Sequence, residues 1–143
     1  MTLNNFKNIL LSWFNNHAMI NSVIYCDDWD FNAERNILYP VVNIEFLSSS
    51  ITGKQQDYNF KIVIADITKP DDTTQEDNVH SDALQIAEDF FAYAANTEGF
   101  FFNQTSRLNK FTDDNGDRTS GIVFTITLSS IRPINLCNTP TKS

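Results

Sequence analysis

The feature that most constrains this chain is alternation of apolar and polar residues, which recurs in separate stretches. In "YPVVNIEFLSSS", Val42, Ile44 and Phe46 fall on one side and Asn43 and Glu45 on the other. In "DYNFKIVIADI", Tyr58, Phe60, Ile62 and Ile64 alternate with Asn59 and Lys61. The apolar Val63 and Ala65 at its far end mark an inner strand. In "GIVFTITLSSI", Ile122, Phe124, Ile126 and Leu128 oppose Thr125, Thr127 and Ser129. Successive side chains of an extended chain point to opposite faces, so a period of two predicts strands with one buried face. "SSSITGKQQ" links the first two as a hairpin connection, and so short a link favours antiparallel pairing.

Elsewhere the period changes to that of a helix. Leu3, Phe6, Leu10, Trp13, Phe14 and His17 share one side, with Ile9 at its edge, Thr2 as cap and Asn21-Ser22 as stop. A second stripe runs through Val79, Ala83, Leu84, Ala87, Phe90, Phe91 and Ala94, opposed by Asp82, Gln85, Glu88 and Asp89. Thr73 and Glu76 have capping-box spacing, and Asn96 and Gly99 are candidate stops. Pro70 and the Asp71-Asp72 pair end the preceding strand. A short strand is predicted at Val23–Cys26, an edge strand after Phe100–Phe102 through Lys110, and a tight turn at Asn115-Gly116. The order helix, strands, helix, strands predicts an α+β two-layer sandwich: a mainly antiparallel sheet with two amphipathic helices on one face. A single domain over 1–131 followed by an extended tail over 132–143 is expected.

Composition narrows the function classes. Aromatics at 13%, including twelve Phe, argue for a packed core and against disorder. A net charge of −8 argues against gripping a nucleic-acid backbone, because too few cations are present to replace phosphate counterions. Cys26 and Cys137 are too few and too distant for a zinc site or a disulfide framework, and reduced thiols in a cytoplasmically made protein are expected. Asn4, Asn5, Lys7 and Asn8 interrupt the apolar N-terminal stretch, so it lacks the continuous core of a secretory leader. No run is long enough to span a bilayer, and no membrane partner is expected.

Few residues suggest chemistry. His80-Ser81-Asp82 contains the letters of a catalytic triad, but neighbours on a helix point about 100° apart and cannot form a Ser–His–Asp relay. Asp27, Asp28, Asp30 and Glu34 form an acidic loop of the kind a hard cation accepts, although loop acids are more often simply solvated. Trp29 and Phe31 lie among them and suggest a protein contact. Asp113, Asn115 and Asp117 have the opening spacing of a calcium loop, but Arg118 occupies the position that requires glycine and no closing glutamate follows. No phosphate-binding glycine loop, HExxH or GxSxG occurs. Neither catalytic residues, nor a metal site, nor a cofactor is therefore assigned, and the protein is not expected to be an enzyme.

"VHSDALQIAEDFFAYAA" followed by "TDDNGDRTSGIVFTITLSSIRPINLCNTP" resembles small virion proteins of tailed phages infecting Bacteroidetes, including crAss-like phages. The matching elements are His80–Asp89, the acidic turn Asp113–Asp117, Ser120–Leu128 and the ending Cys137–Pro140. Members of that group often carry a large aromatic after the last-strand glycine, where Gly121 is followed by Ile122. The element order also resembles the tail-terminator and neck-ring fold. The resemblance implies a virion structural protein, made in the host cytoplasm, that forms a homo-oligomeric ring at the head–tail junction or tail end. Its partners would be its own copies and the neck, portal-side and tail-tube proteins, with phage DNA passing through unbound. Expected interface residues are Trp29 and Phe31, the hairpin residues Lys54, Gln55 and Gln56, and Arg132 and Asn138 of the tail. The alternatives are an acidic DNA mimic and a small hydrolase with an unmarked carboxylate pair.

Overall fold

The computed structural model describes residues 2–26, 38–68, 73–103, 107–113 and 119–131. Along the chain run α1 (Leu3–Asn15), β1 (Ser22–Tyr25), β2 (Val41–Thr52), β3 (Gln55–Ile67), α2 (Thr73–Asn96), β4 (Phe101–Asn103), β5 (Asn109–Asp113) and β6 (Thr119–Ile131). The strands form one sheet in the order β1-β2-β3-β6-β4, with β5 pairing the same side of β6 nearer its start. The fold is α+β, a mainly antiparallel sheet with both helices on one side.

The three alternating stretches are the three central strands, and their apolar faces meet under the helices. Val42, Ile44, Phe60, Ile62, Ile64, Ile122, Phe124, Ile126 and Leu128 are buried against Phe6, Leu10 and Phe14 of α1 and Ala83, Ala87, Phe90 and Ala94 of α2. Ile86 completes the buried stripe of α2, while Leu84 and Phe91 flank it, half-buried. Aromatic rings tie the layers together. Phe90 stacks on Phe14 at 5.2 Å and meets Trp13 and Phe102 edge-on at 5.3 and 5.9 Å. Phe6 bridges Tyr58 of β3 and Phe100, at 5.0 and 5.7 Å.

The structure departs from the sequence reading at particular points. α1 stops at Asn15, short of Asn21-Ser22. Beyond it the His17 N–H still reaches the Phe14 carbonyl, but the Met19 N–H turns to His17 Nδ1, so a side chain replaces the helical acceptor. β1 pairs with β2 in parallel, which the long link across residues 26–40 permits. Most of "SSSITGKQQ" is strand, and only Gly53 and Lys54 form the turn between the paired Thr52 and Gln55. Gly53 has φ +59°, a conformation that hairpin turns of two residues require at this position and that glycine adopts without strain.

A bulge at Leu47 resets the register of that hairpin. Phe46 pairs with Phe60 and Ser48 with Asn59, leaving Leu47 without a partner. Ser48 therefore faces away from the helices, where Asn59 donates to it at 3.0 Å. Ser49 and Ile51 move to the helix side instead. Asn43, placed by alternation on the polar side, is nevertheless fully buried. Its amide donates to the Cys26 carbonyl at 3.2 Å and accepts from the Cys26 thiol at 3.3 Å, so its burial leaves neither group unsatisfied.

Candidate functional site

One end of the sheet collects the features that suit contact with another molecule. Across β2, β3 and β6, the row Ser49–Tyr58–Leu128 still lies at the helix layer, where Phe6 covers Tyr58. In the next helix-side row, Ile51–Gln56–Ser130, the side chain of Ile51 is 54% exposed. The β2–β3 hairpin thus runs on past its covering helices. At the same end Phe101 is 60% and Ile131 65% exposed. Between them and the C-terminal end of α2 an open cleft of about 670 Å³ is lined by Ala95, Glu98, Phe101, Phe102 and Ile131, among others.

Of the expected interface residues, Lys54, Gln55 and Gln56 lie at this end. Lys54 and Gln55 are exposed at the hairpin tip and Gln56 is half-buried. The glutamines brace the hairpin: Gln55 donates to Asp57 Oδ1 at 2.9 Å and Gln56 to Ser49 Oγ at 3.2 Å. Ser49 Oγ in turn donates to the Asp57 carbonyl at 2.8 Å. The hydroxyl of Ser129 and the amide of Gln55, both donating to the Asp57 carboxylate, hold its pKa below the ordinary value. Trp29, Phe31, Arg132 and Asn138 lie outside the described residues, as do Asp27, Asp28, Asp30 and Glu34. Asn115, Gly116 and Asp117 lie outside them too, while Asp113 is the last residue of β5.

Among the described residues the other candidates do not converge into a reactive centre. His80, Ser81 and Asp82 lie in succession on α2, and His80 Nε2 is buried with no hydrogen-bond partner among the described residues. Asp82 instead faces Asp66 of β3 beside Met19, Pro40 and Val79, around a cavity of about 30 Å³. Partial burial, with a smaller contribution from the Asp82 charge, raises the Asp66 pKa, against the lowering effect of the Ile67 N–H that it accepts at 2.8 Å. Among the described residues no three metal-binding side chains gather. Nor is any helix among them long and apolar enough to cross a membrane.

One polar contact was not legible in the sequence. His17 Nε2 donates to Asp89 Oδ2 at 2.9 Å, joining the end of α1 to α2. Because Nδ1 accepts the Met19 N–H, the ring proton of the neutral imidazole belongs on Nε2, as this contact requires. The two residues are 72 positions apart, and neither shows a local pattern that would have paired them. No protein-family model matches the chain, and no curated protein is similar to it in sequence.

Proposed function

We propose that this protein is a structural subunit of a tailed-phage virion that assembles with its own copies into a ring at the head–tail junction or tail end, leaving a channel for DNA. The observation that carries the reading is the uncovered end of the sheet. There a hairpin passes beyond its helices with Ile51 exposed on the helix side, and Phe101 and Ile131, diagonal neighbours on the opposite face, expose large apolar side chains. Exposed apolar residues grouped at one end mark a contact surface better than the same residues scattered singly. The mainly antiparallel sheet with helices on one side also fits the tail-terminator and neck-ring fold that the element order resembles. The charge of −8 suits a channel wall, because it repels the DNA backbone instead of holding it.

Negative-stain imaging and light scattering of the purified protein test the proposal. Closed rings, or incorporation into particles, are the expected result. A monomer at every concentration would count against it, and a monomer that strips DNA from a DNA-binding protein would replace it with the DNA-mimic reading.

A further inference from the structure

We infer that the outer edge of β2 over residues 48–52 pairs with the same edge of a second copy of this chain, antiparallel about a two-fold axis at Ser50. The inference stands apart from the ring reading, because a two-fold contact joins copies in pairs and does not by itself close a ring. β1 covers β2 only as far as Ile44. Beyond that point no strand among the described residues pairs with the outer side of β2, and residues 47–52 are all exposed. An edge strand carries a row of backbone N–H and C=O groups without partners, and soluble proteins guard such edges with lysine, proline, a bulge or a covering segment. Residues 48–52 read Ser-Ser-Ser-Ile-Thr, with neither charge nor proline. The bulge at Leu47 lies at the inner end and leaves these five in regular register with β3.

The edge is clear and ordered in advance. Ser48 accepts from Asn59, Ser49 donates to the Asp57 carbonyl, and Ser50 hydrogen-bonds to the Asp57 carboxylate. All three hydroxyls thus lean inward onto β3 and obstruct nothing on the outer side. Ser129 and Gln55 hold Asp57, and Thr127 holds Asn59, so little order has to be gained when a partner strand arrives. A two-fold axis at Ser50 sets Ser48 opposite Thr52 and Ser49 opposite Ile51, so all five regular residues pair. Directly opposed residues of a ladder share a face, so helix side meets helix side and the exposed Ile51 is covered beside Ser49 of the other copy. Charge selects this contact over others between two copies. At a net −8 the chains repel each other, and α2 carries Glu76, Asp77, Asp82, Glu88 and Asp89 without one Lys or Arg. The edge opposes no like charges, and antiparallel pairing brings Lys54 of each hairpin tip toward Glu45 of the other copy.

Cysteine substitution tests the pairing, in full-length protein carrying Cys26→Ser and Cys137→Ser. A serine at position 26 keeps a hydroxyl for Asn43. About the inferred axis the two Ser50 Cα atoms lie roughly 5 Å apart, within disulfide reach, whereas the two Thr52 Cα atoms lie roughly 14 Å apart, beyond it. Under mild oxidation Ser50→Cys should therefore give about tenfold more linked dimer than Thr52→Cys, and Thr52→Cys should link to Ser48→Cys when the two are mixed. Equal yields at positions 50 and 52, or no link at position 50, overturn the inference. Ile51→Lys, at an exposed side chain, should melt like the parent yet weaken pairing about tenfold in sedimentation, because it sets an ammonium group at the edge. If that variant folds and pairs as the parent does, the contact lies elsewhere. Light scattering separates the two readings. Rings without the link at position 50 sink the two-fold pairing alone, linked pairs without rings sink the ring alone, and a monomer sinks both.

Discussion

Gly121 pairs with Ala65 on one side and Phe111 on the other. A Cβ built on it would stand 1.8 Å from the Ile64 carbonyl oxygen. Because backbone would have to move, Gly121→Ala should cost about 3 kcal/mol, at the upper end for overpacking, and lower the melting midpoint by about 10 °C in circular dichroism. The sequence showed a glycine at the start of a strand but not the neighbouring carbonyl that requires it. Asp66 is a second such position. Its folded pKa lies above its unfolded one, so the folded state holds its proton longer. Stability from this group is greatest below the unfolded pKa and falls as pH rises through the window up to the raised value. Asp66→Asn should therefore match the parent at low pH and exceed its melting temperature at neutral pH, as thermal melts across a pH series would show. An Asp66→Asn protein no more stable than the parent at pH 7 would contradict the stated cause.

Among the elements, α2 depends most on Phe90, which touches rings from α1, β4 and its own helix. Phe90→Ala should cost about 3–5 kcal/mol in a denaturant titration, and Phe90→Asp should leave no folded protein. This stripe was readable because helical spacing survives without its partners. Ile86 was missed beside the more obvious phenylalanines. The β2–β3 hairpin shows the opposite case. Its polar composition reads as a connection, yet Ser48–Thr52 is strand because β3 supplies a ladder partner for each residue. Deleting Lys54–Gln56 leaves the Ser50–Asp57 pair intact and Ile51–Thr52–Gly53 as a loop of three residues, a common hairpin length. That variant should melt within a few degrees of the parent, and on the proposed function it should assemble less well in sedimentation.

At the scale of the molecule, β3 and β6 lie at the centre of the sheet, whereas β1, β4 and β5 are short and at its edges. Hydrogen exchange should accordingly be slowest in Phe60–Ile64 and Ile122–Ile126, where both neighbours and the helix layer must open together, and fastest at the edges. Uniform protection across all six strands would show that the edges are held more firmly than this architecture implies. The alternations at Val42–Phe46, Tyr58–Ile64 and Ile122–Leu128 and the stripe from Val79 to Ala94 were enough to specify strands, a long helix and a layered α+β core. Burial of one face imprints a period on the chain that can be read residue by residue. The parallel β1–β2 pair, the bulge at Leu47, the burial of Asn43, the His17–Asp89 contact and the cleft beside Phe101 and Ile131 came only from the assembled structure. Each depends on which distant residue arrives opposite, and local spacing carries no record of that.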